Sequence, residues 1–205
     1  MDAAIENGVY VIIDWHSHNL RQEEAKEFFT QMATRYKGVP NVIYEVFNEP
    51  VEDSWEQVKS YSVEVIKTIR AIEPDAVILV GCPHWDQDIH LAADDPITGY
   101  SNIMYTLHFY ANTHGQWLRD RADYALGKGL PIFVSECAGM EASGDGPISK
   151  EEWGNWWSGC SGIPSVGWLG PCRTKTRLCS MLYPSGFFRG KLERCRHERV
   201  GENGS

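Results

Sequence analysis

No stretch of this 205-residue chain approaches the roughly eighteen consecutive apolar residues of a membrane-spanning helix. The first residues also lack the basic segment and apolar core of a signal peptide. The chain as written reads as soluble, with no membrane partner. A basic excess is missing too: 19 Lys/Arg against 28 Asp/Glu leave a formal charge of −9. A nucleic-acid or anionic-membrane partner would need the opposite footprint. None of the apolar, strand-like runs is followed by G-x-G-x-x-G or by a phosphate loop ending in Gly-Lys-Ser/Thr, so no nucleotide cofactor is expected. The six cysteines, at 82, 137, 160, 172, 179 and 195, form no C-x-x-C pair and no Cys/His zinc spacing. Four of them fall after residue 159, so their even number is no evidence of a disulfide framework.

What is present is ordinary globular composition, 42% hydrophobic and 23% charged, enough for one domain or two small ones. Eight Trp and nine Tyr are many for this length. Aromatic faces suit a cleft that stacks on sugar rings, although core packing claims most such residues.

The most informative stretch is Asn41 to Pro50, N-V-I-Y-E-V-F-N-E-P. Its β-branched and aromatic residues fit a buried strand, and Pro50 ends the ladder because it has no N–H to donate. Asn48 and Glu49 then stand at the strand's C-terminal mouth, where parallel α/β folds bind ligands. Pro131 to Glu136, P-I-F-V-S-E, repeats the pattern. Val9 to Trp15, Ala76 to Gly81, Asn102 to Tyr110 and Ser165 to Trp168 read as further buried strands. Helices are expected over 23–36, from a cap at Asp53 or Ser54 to Pro74, over 116–126 and over 150–157. Asn7-Gly8 closes an earlier one.

Taking strand ends at 14, 49, 81, 108, 136 and 168, the gaps are 35, 32, 27, 28 and 32 residues, close to the roughly 30 of one βαβ unit. Six βα units in series predict a parallel α/β sheet, and polar residues at successive strand mouths favour a barrel over an open sheet.

With D-W-H-S-H at 14–18, Y-E-V-F-N-E-P at 44–50, L-H-F-Y at 107–110 and V-S-E at 134–136, the chain resembles glycoside hydrolase family 5, in particular its endo-β-1,4-glucanases. The likeness runs from about residue 2 to about 168. It implies an α/β fold, the (β/α)8 TIM barrel, incomplete here: strands three to eight are present and the first two βα units are missing, about 60 residues at the usual unit length. An arginine that supports the nucleophile is missing with them. The resemblance further implies a retaining glycosidase acting on β-glucan, with Glu49 as acid/base and Glu136 as nucleophile. His16, Asn48, His108, Tyr110 and Trp168 match the family's substrate-binding or supporting positions. Secretion is implied by the same likeness, because such enzymes attack insoluble polymers outside the cell. Mannan or xylan specificity within the family, and an inactive or binding-only barrel fragment, are the competing functions.

Retaining hydrolysis needs one carboxylic acid to protonate the leaving oxygen and one carboxylate to attack the anomeric carbon, about 5 to 5.5 Å apart. Burial and like charge are expected to raise the pKa of Glu49, and hydrogen bonds from Tyr110 to keep Glu136 ionised. Asn48 is suited to donate to the sugar 2-hydroxyl. His16 and His18, at i and i+2 with no third ligand nearby, are not expected to bind metal; a sugar hydroxyl or a carboxylate is the expected partner of His16, and His18 is left unassigned. Glu45 is expected to be structural, and alternates away from the Glu49 face only if the strand is regular. His84, Trp85, His90 and His114 are expected on the surface or in loops, with Trp85 in reach of a cleft. Trp15, Trp117, Trp153, Trp156 and Trp157 are expected in the core.

The catalytic domain is expected over 1–169 and a basic tail over 170–205. Residues 160–205 hold eight Lys/Arg and three acidic residues, a local charge of +5, so the preceding residues carry −9 − 5 = −14. The tail shows no helical or alternating period. It reads as translation in a shifted frame or as a basic appendage, and few long-range contacts are expected from it.

Overall fold

The computed structural model describes residues 1–159, together with the backbone of residues 180–182. The expected strand at 165–168, Trp168 and most of the basic tail lie outside the described residues.

Five strands alternate with helices in the expected order: β1 (Val11–Asp14), β2 (Val42–Glu45), β3 (Val77–Val80), β4 (Ile103–Tyr110) and β5 (Ile132–Ala138). Each pairs in parallel with the next in sequence. A doubly wound nucleotide-binding sheet reverses its strand order partway; here the order never reverses, which is the connectivity of a barrel arc. Among the described residues β1 has one strand neighbour, β2. A sixth strand, β6 (Ser180–Leu182), lies beside β5 and runs antiparallel to it, with Phe133 opposite Met181. That pairing is a long-range contact made from within the segment expected to carry few.

The helices form where the sequence places an apolar stripe. In α2 (Gln22–Arg35) the buried residues are Ala25, Phe29 and Ala33, one every four positions. In α3 (Trp55–Arg70) the buried stripe is Trp55, Val58, Tyr61, Ser62, Val65, Ile66 and Ile69. Ser54 caps it in a reciprocal capping box with Gln57, satisfying donors that the first turn leaves open. A short helix α1 (Asp2–Glu6) ends at Asn7, and Gly8 follows at φ 62°. After β3 come the short segment α4 (Pro83–Asp86) and α5 (Ile89–Asp94); α6 (Gln116–Gly127) links β4 to β5, and α7 (Lys150–Gly159) follows β5.

The sheet has two faces with different contents. The outer face, which includes Tyr44, Ile78, Val80, Tyr105 and Val134, packs on the helices in the large core. The inner face carries Ile43, Val77, Leu79, Met104 and Phe133, joined by Tyr10 and Ile12. One step toward the strand C-termini this inner layer turns polar, with Glu45, Thr106, His108 and Ser135 all buried. The apolar layer is a floor, and the polar layer above it is where chemistry can sit.

Candidate active site

Glu49 reaches the site because β2 stops being a regular strand at Glu45. Val46 and Phe47 both join the outer core, so the alternation is broken before Asn48. The backbone is then stitched sideways to the loop after β1: Asn48 N–H donates to Trp15 O at 3.1 Å and Glu49 N–H to Ser17 O at 3.3 Å. The buried Tyr61 hydroxyl donates to Val46 O at 2.9 Å. Gly81 makes room for this crossing; a Cβ there would lie 2.6 Å from Phe47 O and 3.0 Å from Pro50 Cδ.

Glu136 reaches it through a bulge. Thr106 pairs with Phe133 but His108 pairs with Glu136, so β5 spends three residues where β4 spends two. Two consecutive side chains, Ser135 and Glu136, thereby turn toward the same interior. Ser135 contacts His108, and Glu136 lines the pocket above.

One oxygen from each of Glu49 and Glu136 and one ring nitrogen of His108 lie within 4.8 Å of one another. Tyr110 donates its hydroxyl to Glu136 Oε1. His108 Nδ1 is 2.9 Å from Glu49 Oε1, and His18 Nδ1 is 3.7 Å from Glu49 Oε2. This triad has the donor set of a cation site, yet both ring nitrogens of His108 are already engaged, Nδ1 by Glu49 and Nε2 by Ser135 Oγ at 2.8 Å. The pocket is about 520 Å³ and is also lined by His16, Trp85, Gln87, His114 and residues 142–144.

Five expected site residues therefore meet: Glu49, Glu136, His108, Tyr110 and His16 all line the pocket. His16 is largely exposed and tied by Nδ1 to Asp14 Oδ2 at 2.8 Å. Asn48 is buried, 3% exposed, and its Nδ2 has no hydrogen-bond partner among the described residues.

Several expectations are corrected. Glu45 does not turn away. It points into the interior, where it accepts from Ser135 Oγ at 2.5 Å and stands 3.7 Å from His108 Nε2. His18 faces Glu49. His114 lies in the loop between β4 and α6, as one of the expected alternatives had it, but is buried there; its Nδ1 accepts the Tyr110 N–H at 2.7 Å, which puts the ring proton on Nε2. Burial pushes its pKa down. Trp117 is exposed, with Arg121 over its ring, whereas Trp156 is buried and stacks on Phe109 at 3.9 Å.

The pKa of Glu49 is corrected as well. Burial does push it up, but the His108 hydrogen bond and charge, reinforced by His18 and His16, outweigh that, so it lies below the usual carboxylate range. His108 moves the other way: burial alone would lower it, and Asp86, Glu45 and Glu49 raise it well above the usual histidine value. Burial and the neighbouring charge of Glu45 raise Asp14 to about 6, against the opposing pull of its hydrogen bond to His16.

Asp86 is a site residue that sequence patterning missed. His84, Trp85 and Asp86 have φ of 53°, 56° and 61°, a left-handed run that costs about 1–2 kcal/mol per non-glycine residue. It turns Trp85 outward, 44% exposed at the pocket, and buries Asp86 completely against His108. No glycine marks this turn, so the sequence carries no signal for it.

Comparison with known proteins matches this geometry. A family model described as cellulase, glycosyl hydrolase family 5, matches residues 1–170. The chain is 48% identical over 159 residues to Endoglucanase Z of Dickeya dadantii (strain 3937), covering 76% of this chain and 37% of that protein. It therefore spans well under half the length of that relative. A solved structure from Cytophaga hutchinsonii is 45% identical with a TM-score of 0.76, covering 78% of this chain and 54% of that one. The catalytic domain of Thermobifida fusca endoglucanase Cel5A, solved in complex with cellotetraose, is 33% identical with a TM-score of 0.74, over 78% of this chain and 56% of that one. The sequential parallel arc is thus the matching portion of their (β/α)8 barrel, and the chain belongs to glycosyl hydrolase family 5, the cellulases.

Proposed function

We propose that this chain carries a retaining endo-β-1,4-glucanase site, with Glu136 as nucleophile and Glu49 as acid/base. The observation that carries the reading is the approach of the two strand-end carboxylates to within 4.8 Å across one pocket. That separation suits direct attack, whereas inversion needs room for a water between carboxyl groups about 6.5–9.5 Å apart.

In the first step Glu136 attacks the anomeric carbon, the glycosidic C–O bond breaks, and the leaving oxygen takes a proton from Glu49. A glycosyl ester on Glu136 results. In the second step Glu49 takes a proton from water, the water oxygen attacks the same carbon, and Glu136 leaves. Two inversions give net retention. The Tyr110 hydroxyl donates to Glu136 Oε1 and so holds the attacking carboxylate in place. Asn48, whose Nδ2 has no partner among the described residues, supplies a donor for the sugar 2-hydroxyl.

β-1,4-Glucan is the favoured substrate because a relative of the same fold is solved with cellotetraose and another is named an endoglucanase. A second reading, sugar binding without turnover, is favoured by one observation: β1 has a strand neighbour on one side only among the described residues. Reducing-sugar release from carboxymethyl-cellulose, xylan and mannan separates these readings. The endoglucanase reading predicts release from carboxymethyl-cellulose above the other two. Glu136→Gln should abolish it while oligosaccharide binding persists. Binding with no release by the unsubstituted chain would establish the second reading.

A further inference from the structure

Both ring nitrogens of the buried His108 are committed, and the hydrogen-bond pattern fixes their protons. Ser135 Oγ, 2.8 Å from Nε2, gives its own proton to Glu45 Oε1 at 2.5 Å. A hydroxyl has a single proton, so beside an ionised Glu45 it accepts from Nε2, which must carry hydrogen. Nδ1 faces two carboxylates, Glu49 Oε1 at 2.9 Å and Asp86 Oδ2 at 3.3 Å. Glu49 is held below the usual carboxylate range and so only accepts, which means Nδ1 must carry hydrogen too; burial pushes the Asp86 carboxyl up, and the His108 charge opposes that push. With both positions filled the ring is an imidazolium.

Asp86 is the costly member of this group. It is fully buried, its Oδ1 accepts the Cys82 N–H at 2.5 Å, and its Oδ2 has no hydrogen-bond partner among the described residues. Burying a carboxylate is expensive even with the His108 charge 3.3 Å away, and the chain adopts the left-handed run at 84–86 to place it there. Nothing in the packing requires a charge at this position; an amide has the same shape and could keep the bond to Cys82.

We propose that Asp86 is a positioning residue whose carboxylate holds the Nδ1 proton on His108, keeping one proton in store against Glu49 for the leaving oxygen. This rests on Glu49 being the acid/base. As the glycosidic bond breaks, the proton passes from Nδ1 through the Glu49 carboxyl to the leaving oxygen, and His108 becomes neutral. In the second step Glu49 takes a proton from the attacking water and returns it to Nδ1, so the cycle balances. Among the described residues the other charged groups facing the ring are all acidic: Asp14 from β1, Glu45 from β2, Glu49 from the loop after it and Glu136 from β5. Each favours the same cation, and Asp86 is the one that shares Nδ1 with Glu49.

The test is ¹⁵N NMR titration of the full chain labelled at histidine, unsubstituted and as Asp86→Asn, beside the pH profile of kcat/KM on carboxymethyl-cellulose. The unsubstituted chain should show both His108 nitrogens protonated near neutral pH. Removing one adjacent charge should lower the His108 titration by about one unit or more, and the alkaline limb of kcat/KM should fall by the same amount. A packing defect alone would lower kcat without moving the limb. A neutral His108 near pH 7 in the unsubstituted chain overturns the proposal, and that measurement stands even if the variant does not fold. An unmoved titration or an unmoved limb in a folded, active variant overturns it too. A chain that titrates as expected but hydrolyses nothing upholds the Asp86–His108 coupling and refutes the hydrolase reading instead.

Discussion

His108 Nδ1 and Glu49 Oε1 lie 2.9 Å apart across 59 residues of sequence, and each moves the other's pKa, Glu49 downward and His108 upward. A histidine whose folded pKa exceeds its unfolded value contributes stability that is complete below about 6.5 and is lost as pH rises through the folded value. Thermal unfolding followed from about pH 6 to about pH 10 should therefore show stability falling on the alkaline side. In His108→Asn that slope should largely vanish, and stability at neutral pH should drop by about 3 kcal/mol because Asp86, Glu45 and Glu49 lose their partner. An unchanged slope would mean that His108 is neutral in the folded chain.

Asp14 shares the sign of that pH dependence, but its substitution should have the opposite effect. Its folded pKa of about 6 exceeds the unfolded value near 3.8, so ionising it costs stability as pH rises between those values. Its Oδ1 is also buried without a hydrogen-bond partner among the described residues. Asp14→Asn should stabilise the fold near pH 7, by about 1–2 kcal/mol after allowing for partial exposure. Near pH 4 it should change little. Denaturant melts at the two pH values check this, and equal effects at both would count against a buried charge.

Gly81 tests how the site is closed. A methyl group there meets backbone, Phe47 O at 2.6 Å, rather than a side chain that can swing aside. Gly81→Ala should destabilise by about 1–3 kcal/mol and displace Glu49, lowering kcat more than it raises KM. A melting temperature within a degree of the parent would show that the crossing can relax freely.

Much of this was legible before the structure. The strand mouths that carry Glu49, His108 and Glu136 follow from apolar runs that end in polar pairs, because a buried strand announces itself by composition and a proline ends it. Glu45, Ser135, Asp86 and His114 did not show. For Ser135 and Asp86 the cause is a local break in period, the β5 bulge and the left-handed run at 84–86, neither of which has its own residue signature. The direction of the Glu49 pKa was missed for a related reason. Its sign depends on a ring from two strands away, whose distance no local pattern supplies.

Trp85 stands 44% exposed on the pocket wall, in a turn that costs free energy to make. Trp85→Ala should weaken binding of cello-oligosaccharides by about tenfold, the worth of one aromatic platform. The melting temperature should hold or rise slightly. Calorimetry of oligosaccharide binding to Glu136→Gln, with and without the tryptophan, measures this free of turnover; equal affinities would remove Trp85 from the site.

The central claim is that Glu49 and Glu136 act as a retaining pair, and the stereochemistry of the first product tests it most directly. Proton NMR of a cello-oligosaccharide digest, recorded before mutarotation, should show the new reducing end appearing as the β-anomer. Initial appearance of the α-anomer would contradict the account, because a carboxylate pair this close would then be working by a route that its spacing does not allow.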